Sequence, residues 1–175
     1  GATLLNAADR EVHRAFVEAV AQRYQPEYLG LASEINTLAA HGDAHLYAAI
    51  RDLINGAVPR LRQLSPASQL FVSYQVDDAW GLTGAPSAVP DQFNLVHDFP
   101  AMDAVGISSY PIFFFDHPED IPLDYYERFR RESGKPIIQV EGGWSSGAAP
   151  WLAASREATP AAQARYFTRL FEVLD

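Results

Sequence analysis

Pro136-Ile137-Ile138-Gln139-Val140-Glu141 is an apolar run that ends on a carboxylate and passes at once into Gly142-Gly143. Tyr28-Leu29-Gly30-Leu31-Ala32-Ser33-Glu34 repeats the pattern earlier in the chain. A short apolar run without polar alternation fits a strand buried on both faces, the kind a parallel sheet uses. A carboxylate closing such a strand stands on the rim where parallel α/β proteins assemble their chemistry. Two of them suit an acid and a nucleophile, or an acid and a base.

Two further strands read out between these runs, over residues 69–76, rich in β-branched and aromatic side chains, and over 104–109, ended by Tyr110-Pro111. Helices separate the strands. Residues 7–24 carry Val12, Phe16 and Val20 at four-residue spacing, and Pro26 stops them. Residues 44–64 set Leu46, Ile50, Leu53, Ile54, Ala57, Leu61 and Leu64 on one stripe, and Pro59 inside it predicts a kink or a break after Gly56. Residues 92–99 form a short helix packing Phe93 and Val96. Residues 122–132 form another, with Gly134 at its end, and Thr159-Pro160 caps a last one carrying Phe167, Leu170, Phe171 and Leu174. An irregular stretch from Asp77 to about Pro90, with Gly81, Gly84 and Pro86, has the length of a functional or mobile loop.

Alternation of this kind, with roughly 30 to 40 residues between strand ends, gives right-handed βα units and a parallel sheet. The expected fold class is α/β, in a single domain spanning residues 1–175. The length of 175 residues allows one real core. The hydrophobic share is 48% and the charged share 20%, a globular composition. The formal charge of −9 disfavours a phosphate-backbone partner, which needs a basic stripe. Arg128, Arg130 and Arg131 sit among acidic residues and read as a solvated helix face. No apolar run reaches the ~20 residues of a membrane span, and no secretory leader opens the chain, although a cleaved one leaves no trace. Cysteine is absent, which removes disulfides and thiolate metal sites.

The strand ends collect Glu34 with Asn36, then Tyr74, Gln75, Asp77 and Asp78, then Ser108, Ser109 and Tyr110, then Glu141 with Trp144. Carboxylates, a tyrosine and amides on one rim suit glycosidic bond cleavage, where one carboxyl group protonates the leaving oxygen and another attacks or activates water. Trp144 reads equally as a core cap or as a platform for a sugar ring. Asp77 and Asp78 fall on opposite faces of a strand, so at most one meets the rim. The histidines show no ligand spacing beyond His41 and His45. No metal or cofactor is called for, and Phe113-Phe114-Phe115 reads as packing before binding.

Three segments, in order, resemble a known group of enzymes. Leu29-Gly30-Leu31-Ala32-Ser33-Glu34-Ile35-Asn36 is similar to the strand-four motif of the clan A glycoside hydrolases, retaining (β/α)₈ barrels. Met102-Asp103-Ala104-Val105-Gly106-Ile107-Ser108-Ser109-Tyr110-Pro111 resembles strand six of the endo-β-1,4-galactanase-like family 53. Lys135-Pro136-Ile137-Ile138-Gln139-Val140-Glu141-Gly142-Gly143-Trp144 resembles its strand seven. The resemblance implies Glu34 as acid/base, Glu141 as nucleophile and Tyr110 as hydrogen-bond partner of Glu141. Their place on the rim makes Asn36, Tyr74, Asp77, Tyr110 and Trp144 candidate substrate contacts, and the resemblance adds Ser33, a carbohydrate substrate, and a secreted or extracellular setting.

The chain departs from the family in two ways. Ser33 stands where the family has Asn, so the side chain reaches less far. Only strands like four to seven are visible, whereas a full barrel takes about 250 residues. Missing chain segments, or self-association of a half-barrel, would then have to cover the open edges. A carbohydrate-binding or structural half-barrel without catalysis, and a generic α/β protein, are the alternatives.

Overall fold

The computed structural model describes residues 3–84 and 87–175. Four parallel strands lie in chain order: β1 (Tyr28–Gly30), β2 (Gln69–Gln75), β3 (Ala104–Ser109) and β4 (Ile137–Gly142). The α-helices are α1 (Ala7–Tyr24), α2 (Ile35–His41), α3 (Ala44–Leu64), α4 (Val76–Ala79), α5 (Glu127–Ser133) and α6 (Pro160–Leu174). A 3₁₀ helix, Gln92–Asp98, makes the β2–β3 crossover. The sheet curls into an α/β half-barrel with β1 and β4 as its edges.

Local sequence explains most boundaries. Asn6 accepts a hydrogen bond from the Ala8 N–H to open α1, and Gln25 closes it in the left-handed region before Pro26. Asp43 caps α3, and Thr159 caps α6 with Pro160 in its first turn. No break occurs at Pro59: α3 runs through it. A proline there costs about 3 kcal/mol. Leu53, Ile54, Ala57, Val58 and Leu61 are buried on either side of it, and packing of that extent outweighs the lost hydrogen bond.

Three other expectations change. The first strand is shorter than residues 28–33, although two bonds of its ladder continue, from Leu31 N–H to Phe71 O at 2.9 Å and from Ser73 N–H to Ala32 O at 3.0 Å. Glu34 is followed by α2 instead of a loop. The helix expected over residues 122–132 begins only at Glu127. Tyr125 and Tyr126 are adjacent and both buried, which successive turns permit and a single α-helical face does not. The stretch from Asp77 opens with the single turn of α4, and Pro86 lies outside the described residues.

One sheet face belongs to the helices. Tyr74 packs on Phe129 of α5 with ring centroids 5.3 Å apart, and Gln139 donates to the Tyr166 hydroxyl of α6 at 3.2 Å. Val72, Val105 and Ile107 point the same way into the core. Residues in the alternate register, Phe71, Ser73, Gly106 and Ser108, line the concave face. The Phe71 ring lies across its neighbours there: a Cβ at Gly30 would stand 2.7 Å from it, and one at Gly106 2.8 Å. β3 is buried along its whole length, as a central strand covered on both faces should be. β4 is half-buried to exposed because nothing pairs with its outer edge among the described residues.

Candidate active site

At the carboxyl end of β1 the chain reverses at Glu34, which adopts φ 48° and ψ 44°. Left-handed backbone costs a residue with a Cβ about 1–2 kcal/mol. Such outliers cluster at functional sites. The turn is held on both sides. Glu34 N–H donates to Ser73 Oγ at 3.0 Å, and Ser108 Oγ donates to Glu34 Oε1 at 2.7 Å. Both serines are concave-face residues and buried. Asn36, on the first turn of α2, acts as a surrogate strand. Its Oδ1 accepts from Gln75 N–H at 2.7 Å, while its Nδ2 donates to Gln75 O at 2.9 Å and to Gln92 Oε1 at 2.7 Å. The far end of β2 is thereby paired through a side chain, and α2 is locked to it.

Glu141 reaches the same rim by a different device. Ile107 pairs with Gln139, but Ser108 pairs with Glu141, so Val140 is an extra residue in β4. Side chains alternate along a strand, and one inserted residue reverses the facing of everything after it. Without the bulge Val140 would align with Ser108 and Glu141 would turn toward the helices. With it, Glu141 stands beside Ser108, whose hydroxyl is bonded to Glu34. Gly142 completes the turn at φ 153°, where a Cβ would lie 2.4 Å from Ser109 O.

Tyr110 stands against Glu141. Its hydroxyl donates to Glu141 Oε1 at 2.7 Å. Its phenol is pushed up to about 12, first by that hydrogen bond, then by burial and by the charges of Glu141 and Glu34. Asp77 holds Tyr110 from behind. It is fully buried in α4, so it does not lie on a strand as the sequence suggested. It accepts from Tyr110 N–H at 2.9 Å, Gln75 Nε2 at 2.9 Å, the Tyr125 hydroxyl at 2.5 Å and Ser109 Oγ at 3.4 Å. Burial, with the Asp77 charge next, pushes the Tyr125 phenol well up. Asp78 faces away, toward His41 at 3.0 Å and Thr83 at 2.8 Å.

The sequence-derived candidates thus divide. Glu34, Tyr110 and Glu141 meet on the rim, and Ser33 is exposed beside them. Asn36 and Asp77 lie beneath that rim with their polar atoms engaged within the fold. Tyr74 is buried against Phe129, its hydroxyl toward Leu95 O at 3.4 Å. Trp144 is buried too, stacked on Tyr166 and donating from its indole N–H to Glu157 O at 2.9 Å. Arg128 is not solvated as expected: it pairs with Asp91 and lies 4.2 Å over the Phe93 ring. Sequence reasoning left Ser73 out and gave Ser108 no role. Their signal was present, since both are small polar residues at concave positions within otherwise apolar strands. No group of three His, Asp or Glu residues among the described residues is arranged to hold a metal ion.

Comparison with solved structures bears on the fold. The Ignisphaera aggregans GH53 catalytic domain superposes with a TM-score of 0.62 at 15% identity, over 94% of this chain and 50% of that one. The fold is that of a partial (β/α)₈ barrel. A Bifidobacterium dentium β-glucuronidase, in complex with coumarin-3-O-glucuronide, gives a TM-score of 0.61 at 15% identity, over 97% of this chain and 26% of that one. The half-barrel therefore spans about half of the first structure and a quarter of the second. No family model and no curated protein sequence matches the chain.

Proposed function

We propose that the half-barrel carries the catalytic rim of a retaining glycoside hydrolase acting on a β-linked poly- or oligosaccharide. Glu34 donates a proton to the leaving glycosidic oxygen while Glu141 attacks the anomeric carbon. Glu34 then takes a proton from water as that water displaces the sugar from Glu141. One observation carries the reading: the bulge at Val140 turns Glu141 onto the face where Ser108 already binds Glu34. Tyr110 supports it, because a phenol donating to a carboxylate fixes which oxygen is free to attack. The retaining route calls for carboxyl groups about 5–5.5 Å apart.

A second reading, a carbohydrate-binding or structural half-barrel without turnover, is favoured by two observations. Ser33 stands where the resembled family has Asn, and Glu141 rests on an exposed edge strand. We propose in addition that the edges are covered in use, by a second copy or by further chain. Val140, Phe167 and Phe171 line an open groove of about 410 Å³ beside β4. Steady-state turnover of aryl β-glycosides and β-glycans tests the enzyme reading. Hydrolysis with retention, lost in Glu141→Gln, is expected. A folded protein that binds β-glycans and never cleaves them gives the second reading instead.

A further inference from the structure

The segment between β4 and α6, residues 143–159, is long for a compact domain, and such loops commonly carry function. It leaves Trp151 64% exposed. The indole has company. Its ring centroid lies 5.5 Å from that of Phe113, which is 44% exposed, and Phe113 lies 6.4 Å from Tyr110. Tyr110 in turn holds Glu141. An aromatic strip therefore leads away from the carboxylates across two loops that are distant in sequence. The run Phe113-Phe114-Phe115 splits to make it: Phe115 packs inward on Tyr125 at 5.5 Å, whereas Phe113 turns outward.

The strip is held in place before any ligand arrives. Asp116 Oδ1 accepts from Ser155 Oγ at 2.8 Å and from Arg156 Nη1 at 2.5 Å. Arg156 Nη2 donates to Phe113 O at 3.0 Å, and Glu157 N–H donates to Asp116 O at 2.9 Å. The loop bearing Trp151 is thus clasped to the segment bearing Phe113. Preformed contact surface saves the ordering cost that a mobile loop would add to binding.

We propose that Tyr110, Phe113 and Trp151, whose planes tilt by 62° and 42° from one ring to the next, offer successive stacking faces to pyranose rings of a β-linked oligosaccharide, beyond the ring that is cleaved. The proposal rests on the glycosidase reading of the same rim. It commits to a sugar because of what adjoins the strip. A pyranose offers an apolar C–H face to an aromatic ring and hydroxyls to the carboxylates beside it. An anionic lipid surface would meet Glu34, Glu141 and a net charge of −9 instead.

The test uses Glu141→Gln protein, in which bound sugar stays intact, and calorimetric titration with β-1,4-linked galacto-, gluco- and xylotetraose. At least one tetraose should bind. Adding Trp151→Ala should weaken that binding roughly tenfold, Phe113→Ala by a comparable factor, and Trp151→Phe by less, with the melting temperature held. Equal affinity with and without Trp151 overturns the platform, as does the absence of binding by every tetraose. The two proposals fail separately. Wild-type protein that never cleaves a glycoside but binds tetraose through Trp151 loses the catalytic reading and keeps the platform. Turnover that is indifferent to Trp151 on tetraoses does the reverse.

Discussion

The two glutamates are held in opposite ways. Glu34 is half-buried and held from several sides: its backbone is bonded to Ser73, its carboxylate to Ser108, and the adjoining Asn36 pairs both main-chain groups of Gln75. Glu141 sits on an edge strand, aimed by one bulge and held by one phenol. A position fixed by several buried hydrogen bonds moves only when the fold moves. A position fixed by one contact on an open edge can be altered without unfolding the protein. On the proposed mechanism the contrast suits an acid/base that must keep its geometry through two steps, facing a nucleophile whose alignment depends on what lies against β4.

The largest expected effects are kinetic. Glu141→Gln should lower kcat by about 10⁴-fold or more, since the attacking group itself is lost. Glu34→Gln should lower it by roughly 10²–10⁴-fold, the usual range for general acid–base catalysis. Substrates with good leaving groups should partly recover the Glu34 variant and not the Glu141 variant. Recovery of both, or of neither, would break the division of roles.

Next come the supports, read by urea denaturation. Asn36→Ala removes three hydrogen bonds, one buried and two part-buried, and should cost roughly 2–3 kcal/mol, because Gln75 and Gln92 lose their partner. Gly142→Ala should cost about 2 kcal/mol through backbone strain and contact with Ser109 O. It should also impair turnover by misdirecting Glu141. Similar turnover in the two variants at matched stability would remove the contrast between the many-contact and the single-contact carboxylate.

The smallest effects concern Tyr110. Tyr110→Phe should leave stability within about 1 kcal/mol, since one exposed hydrogen bond is lost, and should lower kcat/KM by roughly tenfold. Its phenol titrates above the usual value of about 10 because the neutral form donates to Glu141. The stabilisation this gives is complete below pH 10 and is lost as pH rises through about 12. In Glu141→Gln the ¹³Cζ resonance of Tyr110 should titrate closer to pH 10. A titration unmoved by that change would show that the phenol owes its shift to burial.

Much of this was readable in the chain. The apolar runs at 28–33 and 136–140 announced parallel strands, and the cap at Thr159-Pro160 opened α6 where expected. What failed were readings that treat a residue alone. Pro59 does not interrupt α3 because buried side chains flank it on both sides. Asp77 looked like a rim residue and is instead the buried acceptor that orients Tyr110. Trp144, a candidate platform by sequence, is stacked inside on Tyr166, while Trp151, which drew no attention, is the exposed one.

By itself the sequence determined the periodicities, the caps and the order of strands and helices. These depend on neighbours a few residues apart, and they bring Glu34 and Glu141 to one end of the sheet. Only the tertiary structure decided which face Glu141 occupies. A bulge is a property of two strands in register, and the single extra residue, Val140, is visible only when β4 is laid against β3.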